Sequence, residues 1–180
     1  MTSYLRRGAA AVALLVLAGT AQAQDQAPEQ STNRVEAFTA WSVFEETDPK
    51  QCWSVSSPEE TVNTRDGRVV AVRRGDILLF VSYIPGEEVA GQVSFTGGYP
   101  FRDGSTVSLE VGGSTFDLFT DGEMAWSASP EDDVEIVAAM KRGADAVLTA
   151  ESSRGTQTKD TFSLYGFTAA VEEAAQRCTE

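Results

Sequence analysis

From Phe38 onward the chain runs as short segments rich in β-branched and aromatic residues, each ended by turn residues, and no other feature limits its fold as strongly. Nine segments are predicted as strands: Phe38 to Glu45, Gln51 to Ser56, Ile77 to Ile84, Val89 to Phe95, Thr106 to Val111, Thr115 to Phe119, Met124 to Ala128, Ala146 to Ser152 and Thr161 to Tyr165. Val107, Leu109 and Val111 alternate with Thr106, Ser108 and Glu110, the pattern of a sheet with one wet face. Ile77 to Val81 is apolar throughout, as in the middle of a sheet. Asp66-Gly67, Asp103-Gly104 and Asp121-Gly122 are hairpin dipeptides, because Gly takes positive φ without steric cost and Asp tolerates it. Short strands joined by tight turns pair antiparallel. The expectation is an all-β fold with two short helices: a β-sandwich, with a closed barrel as the alternative.

The first helix starts from Ser129 as N-cap, with Pro130 at the first helical position and Glu131, Asp132 and Asp133 on the positive end of the dipole. It is predicted to run to about Arg142, with Gly143 as a left-handed cap and Val134, Val137, Ala138 and the Lys141 stem on its inner face. The acidic triplet lacks the spacing of a calcium loop, so it reads as helix initiation rather than a metal site. The second helix, Thr168 to Arg177, is short and alanine-rich and leads directly into Cys178.

Residues 1–23 carry the marks of a secretory signal: Arg6 and Arg7, the apolar run Ala9 to Ala18, and Ala21-Gln22-Ala23 as a small-x-small cleavage site. That run is too short for a membrane span, which needs about 20 apolar residues. Residues 24–36 read as a flexible polar leader and 37–180 as one domain, in keeping with a chain of 180 residues. Export places Cys52 and Cys178 in an oxidising compartment, where an even pair is most simply one disulfide. Two separate buried thiols or an intermolecular bridge are the alternatives. A bridge would close a loop of 126 positions, for which chain entropy gives an upper figure of about 5 kcal/mol.

The formal net charge is −13, and −15 once residues 1–23 are removed. Such a chain has no basic surplus for nucleic acid or anionic lipid surfaces. It also contains no histidine, which removes Ser-His and Cys-His nucleophile pairs and imidazole-ligated metals. No metal and no cofactor is expected. Glu59-Glu60, Glu87-Glu88 and Glu131 to Asp133 are adjacent rather than facing carboxylates, a poor match to glycoside hydrolysis. Lys50 and Lys159 lie in polar turns and Lys141 at a helix end, so none suits a desolvated Ser-Lys dyad.

The most unusual local stretch is Gly97-Gly98-Tyr99-Pro100-Phe101-Arg102-Asp103, where two glycines and a proline set Tyr99 and Phe101 as rigid aromatic groups. These rings either anchor a partner or plug the end of the sandwich. Arg154-Gly155-Thr156 offers a guanidinium fork beside a hydroxyl, suited to a carboxylate or phosphate, or else a plain strand-connecting turn with a surface ion pair. Tyr99, Phe101, Arg102 and Arg154 are therefore the candidate partner-binding residues.

The signal segment at 1–23, Trp41-Ser42-Val43, Cys52-Trp53, Gly98-Tyr99-Pro100-Phe101, Ala125-Trp126, the Val137 to Lys141 stretch and, above all, Arg154 to Cys178 resemble the invasion associated locus B family of small exported bacterial proteins. The resemblance implies an immunoglobulin-like β-sandwich, a periplasmic or envelope location and no established catalysis. Relatives often carry further cysteines in the N-terminal half. Phe44 stands where some have one, which leaves a single bridge here. The expected function is an exported, non-enzymatic protein that meets an envelope or cell-surface partner, in the periplasm, on the outer membrane or outside the cell. The alternatives are a small-ligand carrier or carboxylate-based hydrolase acting on envelope components, and a purely structural or stress-protective envelope protein.

Overall fold

The computed structural model describes residues 33–179; the predicted signal segment at 1–23 and residues 24–32 of the predicted leader lie outside them. The strands are β1 (Arg34–Phe38), β2 (Trp41–Thr47), β3 (Lys50–Ser56), β4 (Glu60–Arg65), β5 (Arg68–Val69), β6 (Leu78–Ile84), β7 (Val89–Thr96), β8 (Thr106–Val111), β9 (Ser114–Asp121), β10 (Met124–Trp126), β11 (Asp145–Glu151) and β12 (Gln157–Ser163). Helix α1 (Pro130–Met140) links β10 to β11, and α2 (Phe167–Thr179) follows β12.

All twelve strands join one sheet, in the order β1-β2-β3-β6-β7-β10-β9-β8-β11-β12-β4-β5. The pairings are antiparallel. The sheet folds over on itself: Phe95 of β7 meets Phe162 of β12 edge to face at 6.1 Å, although five places separate those strands in the order. Trp41 Nε1 of β2 donates to the Ser163 carbonyl at the end of β12, 3.0 Å away. The expected antiparallel β-fold with two helices holds. Its two layers come from one continuous sheet, and among the described residues β1 and β5 remain unpaired edges, so the sheet is not closed into a barrel.

Four strands were not legible as predicted. Residues 34–36, read as the end of the leader, pair with β2. Strands β4 and β5 are polar and mostly exposed, so they lack the alternation that marks a half-buried strand. Strand β12 begins at Gln157 rather than Thr161, because its buried positions Thr158 and Asp160 are polar and give no apolar signal.

Among the turns, Asp66-Gly67 closes β4 on β5 with both residues at positive φ, 51° and 73°, as a two-residue hairpin requires. Asp121-Gly122 lies at the β9–β10 turn. Asp103-Gly104 departs from the hairpin expectation: it forms a turn closed by Ser105 N–H donating to the Arg102 carbonyl, ahead of β8.

Helix α1 starts as expected. Ser129 Oγ accepts from Asp132 N–H at 3.2 Å and donates to Asp132 Oδ2 at 3.0 Å. Its inner face is only partly the expected one: Val137 packs against the core, but the face is rotated. Asp133, Ile136, Ala139 and Met140 are buried while Val134 is 66% exposed. The rotation follows from Asp133, whose Oδ1 accepts from Val93 N–H at 2.7 Å and from Ser127 Oγ at 2.6 Å, pinning α1 to β7. Gly143 is likewise not a left-handed cap; a Cβ there would come within 2.5 Å of Val111 Cγ1 and 2.9 Å of Leu164 Cδ1, so close packing requires it.

Helix α2 buries Phe167, Ala170, Val171, Ala174 and Cys178, a stripe at helical spacing. Phe167 packs edge to face on Trp41 at 4.8 Å. At its far end Cys178 is bonded to Cys52 of β3, with Cα atoms 5.8 Å apart, so the single intramolecular bridge is present.

Candidate functional site

The cavity of interest is built where the polar end of β12 meets two connections. Side chains two apart on a strand share a face, so Thr156, Thr158, Asp160 and Phe162 all point inward from β12 and its approach. The inner layer thus changes from apolar at Phe162 to polar at Thr158. Over this polar end pass residues 70–77, which return the chain from edge strand β5 to β6, and the 97–103 loop between β7 and β8.

Arg74 fastens the two connections to the sheet. Its guanidinium forms a bidentate pair with Asp160, at 2.7 and 2.6 Å, with the two side chains 6% and 0% exposed. Its Nε donates to the Gly97 carbonyl at 2.8 Å, and Nη1 reaches Asn63 Oδ1 at 3.3 Å. Gly75 N–H donates to the Gly98 carbonyl at 2.8 Å. This approach is what demands glycine at 98: its φ is +70°, and a Cβ would fall 2.6 Å from the Gly75 oxygen. Burial pushes the Asp160 carboxyl above its ordinary range, while the Arg74 hydrogen bonds and charge pull it back.

Tyr99 completes the wall. Its ring lies under the Arg74 guanidinium at 5.0 Å and edge-on to Phe101 at 5.2 Å, and its hydroxyl bonds Thr158 Oγ1 at 2.5 Å. Burial raises the phenol above its ordinary value.

These groups form the floor of a half-open cleft of about 500 Å³, lined also by Val72, Pro100, Glu123, Ser152, Ser153 and Thr156, with Arg65, Arg73 and Arg154 exposed along it. Arg65 is oriented by Nη2 donating to Thr156 Oγ1 at 2.6 Å. Among the described residues, Arg65, Arg73 and Arg154 make no ion pair, as Arg34, Arg68, Arg142 and Lys159 also do not, whereas Arg74, Arg102, Arg177, Lys50 and Lys141 do. The lining therefore collects four of the chain's 14 basic side chains, three of them unneutralised, in a protein of net charge −13.

The four residues singled out from sequence separate here. Tyr99 and Arg154, 55 positions apart, line the same cavity. Phe101, named as a candidate contact with core-plugging as the other reading, is 3% exposed and packs against Phe95 at 6.1 Å, so it plugs the core. Arg102 points away to pair with Glu151 at 2.9 Å. Sequence reasoning missed Arg65, Arg73 and Arg74, which lie outside any motif. The one available signal was four arginines, at 65, 68, 73 and 74, within ten positions of an otherwise acidic chain.

A second surface is apolar. On the outer face of the first strands Phe44 stacks on Trp53 at 5.5 Å and 5°, and farther across the sheet Phe119 stacks on Trp126 at 5.6 Å. Among the described residues no cluster of three or more Cys, Asp or Glu is placed to hold a metal ion. No described helix is long and apolar enough to cross a membrane.

The family profile described as "Invasion associated locus B (IalB) protein" matches residues 40–175. Among solved structures, the crystal structure of invasion associated protein B from Bartonella henselae is similar, with a TM-score of 0.54 and 18% identity over 81% of this chain and 98% of that one. At that identity the likeness speaks for the fold alone. No curated protein sequence gives a significant match.

Proposed function

The chain belongs to the invasion associated locus B family, and from that premise we propose that it is an exported, non-catalytic binding protein whose envelope or cell-surface partner docks at the arginine-lined cavity. The observation that carries the reading is the convergence of Arg65, Arg73 and Arg154, without ion-pair partners, beside the Tyr99 loop. The chemistry of the lining favours binding over turnover. Arg74 is committed to Asp160 and the Tyr99 hydroxyl to Thr158, so both act as supports. Glu123 is the sole carboxylate among the lining residues, and two-carboxylate hydrolysis needs a second one facing it. The Cys52–Cys178 bridge and the signal-like residues 1–23 fit export to an oxidising compartment, in the periplasm, on the outer membrane or outside the cell.

Photo-crosslinking in living cells tests the reading, with the photoreactive residue at position 153, on the exposed rim of the cavity, and a control at position 134, exposed on α1. One species captured from 153 and absent from 134, and lost on Arg154→Ala, is the expected result. Equal capture from both positions, or none from 153, overturns it.

A further inference from the structure

We propose that the cavity receives a phosphate monoester carried by a sugar, an inference that rests on this cavity being the binding site. Charge matching points to the phosphate. Arg65, Arg73 and Arg154 each contribute one positive charge, Glu123 one negative charge, and the Arg74–Asp160 pair cancels internally, which leaves the lining at +2. A phosphate monoester carries about −1.5 to −2 at pH 7, whereas a carboxylate would leave a guanidinium uncompensated. The guanidinium fork also fits: it presents parallel N–H donors to two oxygens of one phosphate. Arg65 is held by its bond to Thr156, which uses one of five donors.

Volume points to what the phosphate is attached to. About 500 Å³ lies within the range of small-molecule sites and exceeds what an inorganic phosphate fills. The rest of the wall supplies the exposed Ser153 hydroxyl beside the Pro100 ring, with the Thr156 and Thr158 hydroxyls behind it already bonded to Arg65 and Tyr99, a surface for a polyol rather than a hydrocarbon. The acidic remainder of the molecule narrows the choice further. With 27 acidic side chains against 14 basic ones, an extended polyanion meets repulsion as soon as it leaves the cavity, so a compact dianion is favoured.

The test is a chemical-shift titration of the exported protein at low salt with glucose 1-phosphate, inorganic phosphate and glucose as probes. Expected are saturable shifts at Ser153, Arg154 and Thr156 with glucose 1-phosphate at about 1 mM or below, at least tenfold weaker binding of inorganic phosphate, and none of glucose. Arg154→Gln should weaken the sugar phosphate by about tenfold, the order of one charge-assisted contact, with an unchanged unfolding midpoint because Arg154 is exposed and makes no ion pair among the described residues. Lowering the pH through about 6, where the phosphate takes up its second proton, should weaken it as well. The proposal is overturned by no saturation at about 20 mM glucose 1-phosphate, by inorganic phosphate binding as well as the ester, or by full affinity in Arg154→Gln. If that happens while crosslinking from position 153 still captures a partner, the ligand class is wrong and the binding site stands.

Discussion

Replacing Arg74 by Met removes the guanidinium and leaves the Asp160 carboxylate, 0% exposed, without its partner. Breaking a buried pair from one side costs about 3–5 kcal/mol, because the remaining charge is neither solvated nor matched. The lost hydrogen bond to the Gly97 carbonyl adds about 1 kcal/mol. Against a domain stability of about 5–15 kcal/mol this is a large share, so urea unfolding at pH 7.5 should show a midpoint far below that of the wild type. The pH dependence identifies the cause. Asp160 already has a folded-state pKa above its ordinary value through burial, and losing Arg74 raises it further. A carboxyl with a raised folded pKa contributes stability that is complete below its unfolded pKa of about 3.9 and is lost as the pH rises through the folded value. The deficit of Arg74→Met should therefore be greatest near neutrality and shrink as the pH falls towards 4. The double variant Arg74→Met with Asp160→Leu, in which no charge is buried, should recover most of the loss. A deficit below about 1 kcal/mol, one equal at both pH values, or a double variant no better than Arg74→Met would refute the reasoning.

Asp133 is also raised by burial, opposed by its bonds from Ser127 and Val93 N–H, so Asp133→Asn should gain on the wild type as the pH rises from about 4 to 7. Asp133→Ala, which orphans both donors, should lose about 1–3 kcal/mol by the same unfolding measurement; an equal cost for the two substitutions would show that neither donor matters. Reducing the Cys52–Cys178 bridge should lower the thermal midpoint and raise hydrogen exchange in α2 before the rest of the domain, because the loop of 126 positions then regains entropy worth up to about 5 kcal/mol. The Arg177 pairs with Glu45 and Glu173 that also hold this end are part-exposed and worth little, so an unmoved midpoint in protein shown by mass to be reduced would contradict the account.

What could be read from the chain depended on whether the physics was local. The alternation in Thr106–Val111, the Ser129-Pro130 start of α1 and the Asp66-Gly67 turn each follow from neighbouring residues, and each stands in the structure. The inner face of α1 was misjudged because Asp133 was counted as a dipole partner, whereas its hydrogen bonds come from β7 and from Ser127. The polar strand β12 was shortened for a related reason. Thr158 and Asp160 are buried because Tyr99 and Arg74 reach them from 59 and 86 positions away, and hydropathy carries no trace of such pairing.

The same distinction governs the reading of charge. A net charge of −13 argues against long anionic polymers, since that interaction sums over the whole surface. It says little about a ligand small enough to lie within one cavity, where the nearest few charges dominate and those beyond about 10 Å are screened at 0.1 M salt. Here folding brings Arg154 to the Arg65 and Arg73 of the 65–74 stretch while neutralising Arg74 internally. An acidic chain thereby acquires a positive pocket whose surroundings repel the larger anions that the pocket alone would attract. Rising salt should accordingly weaken glucose 1-phosphate at the cavity yet ease the approach of larger anions to the rim, two trends of opposite sign that a uniformly acidic surface would not produce.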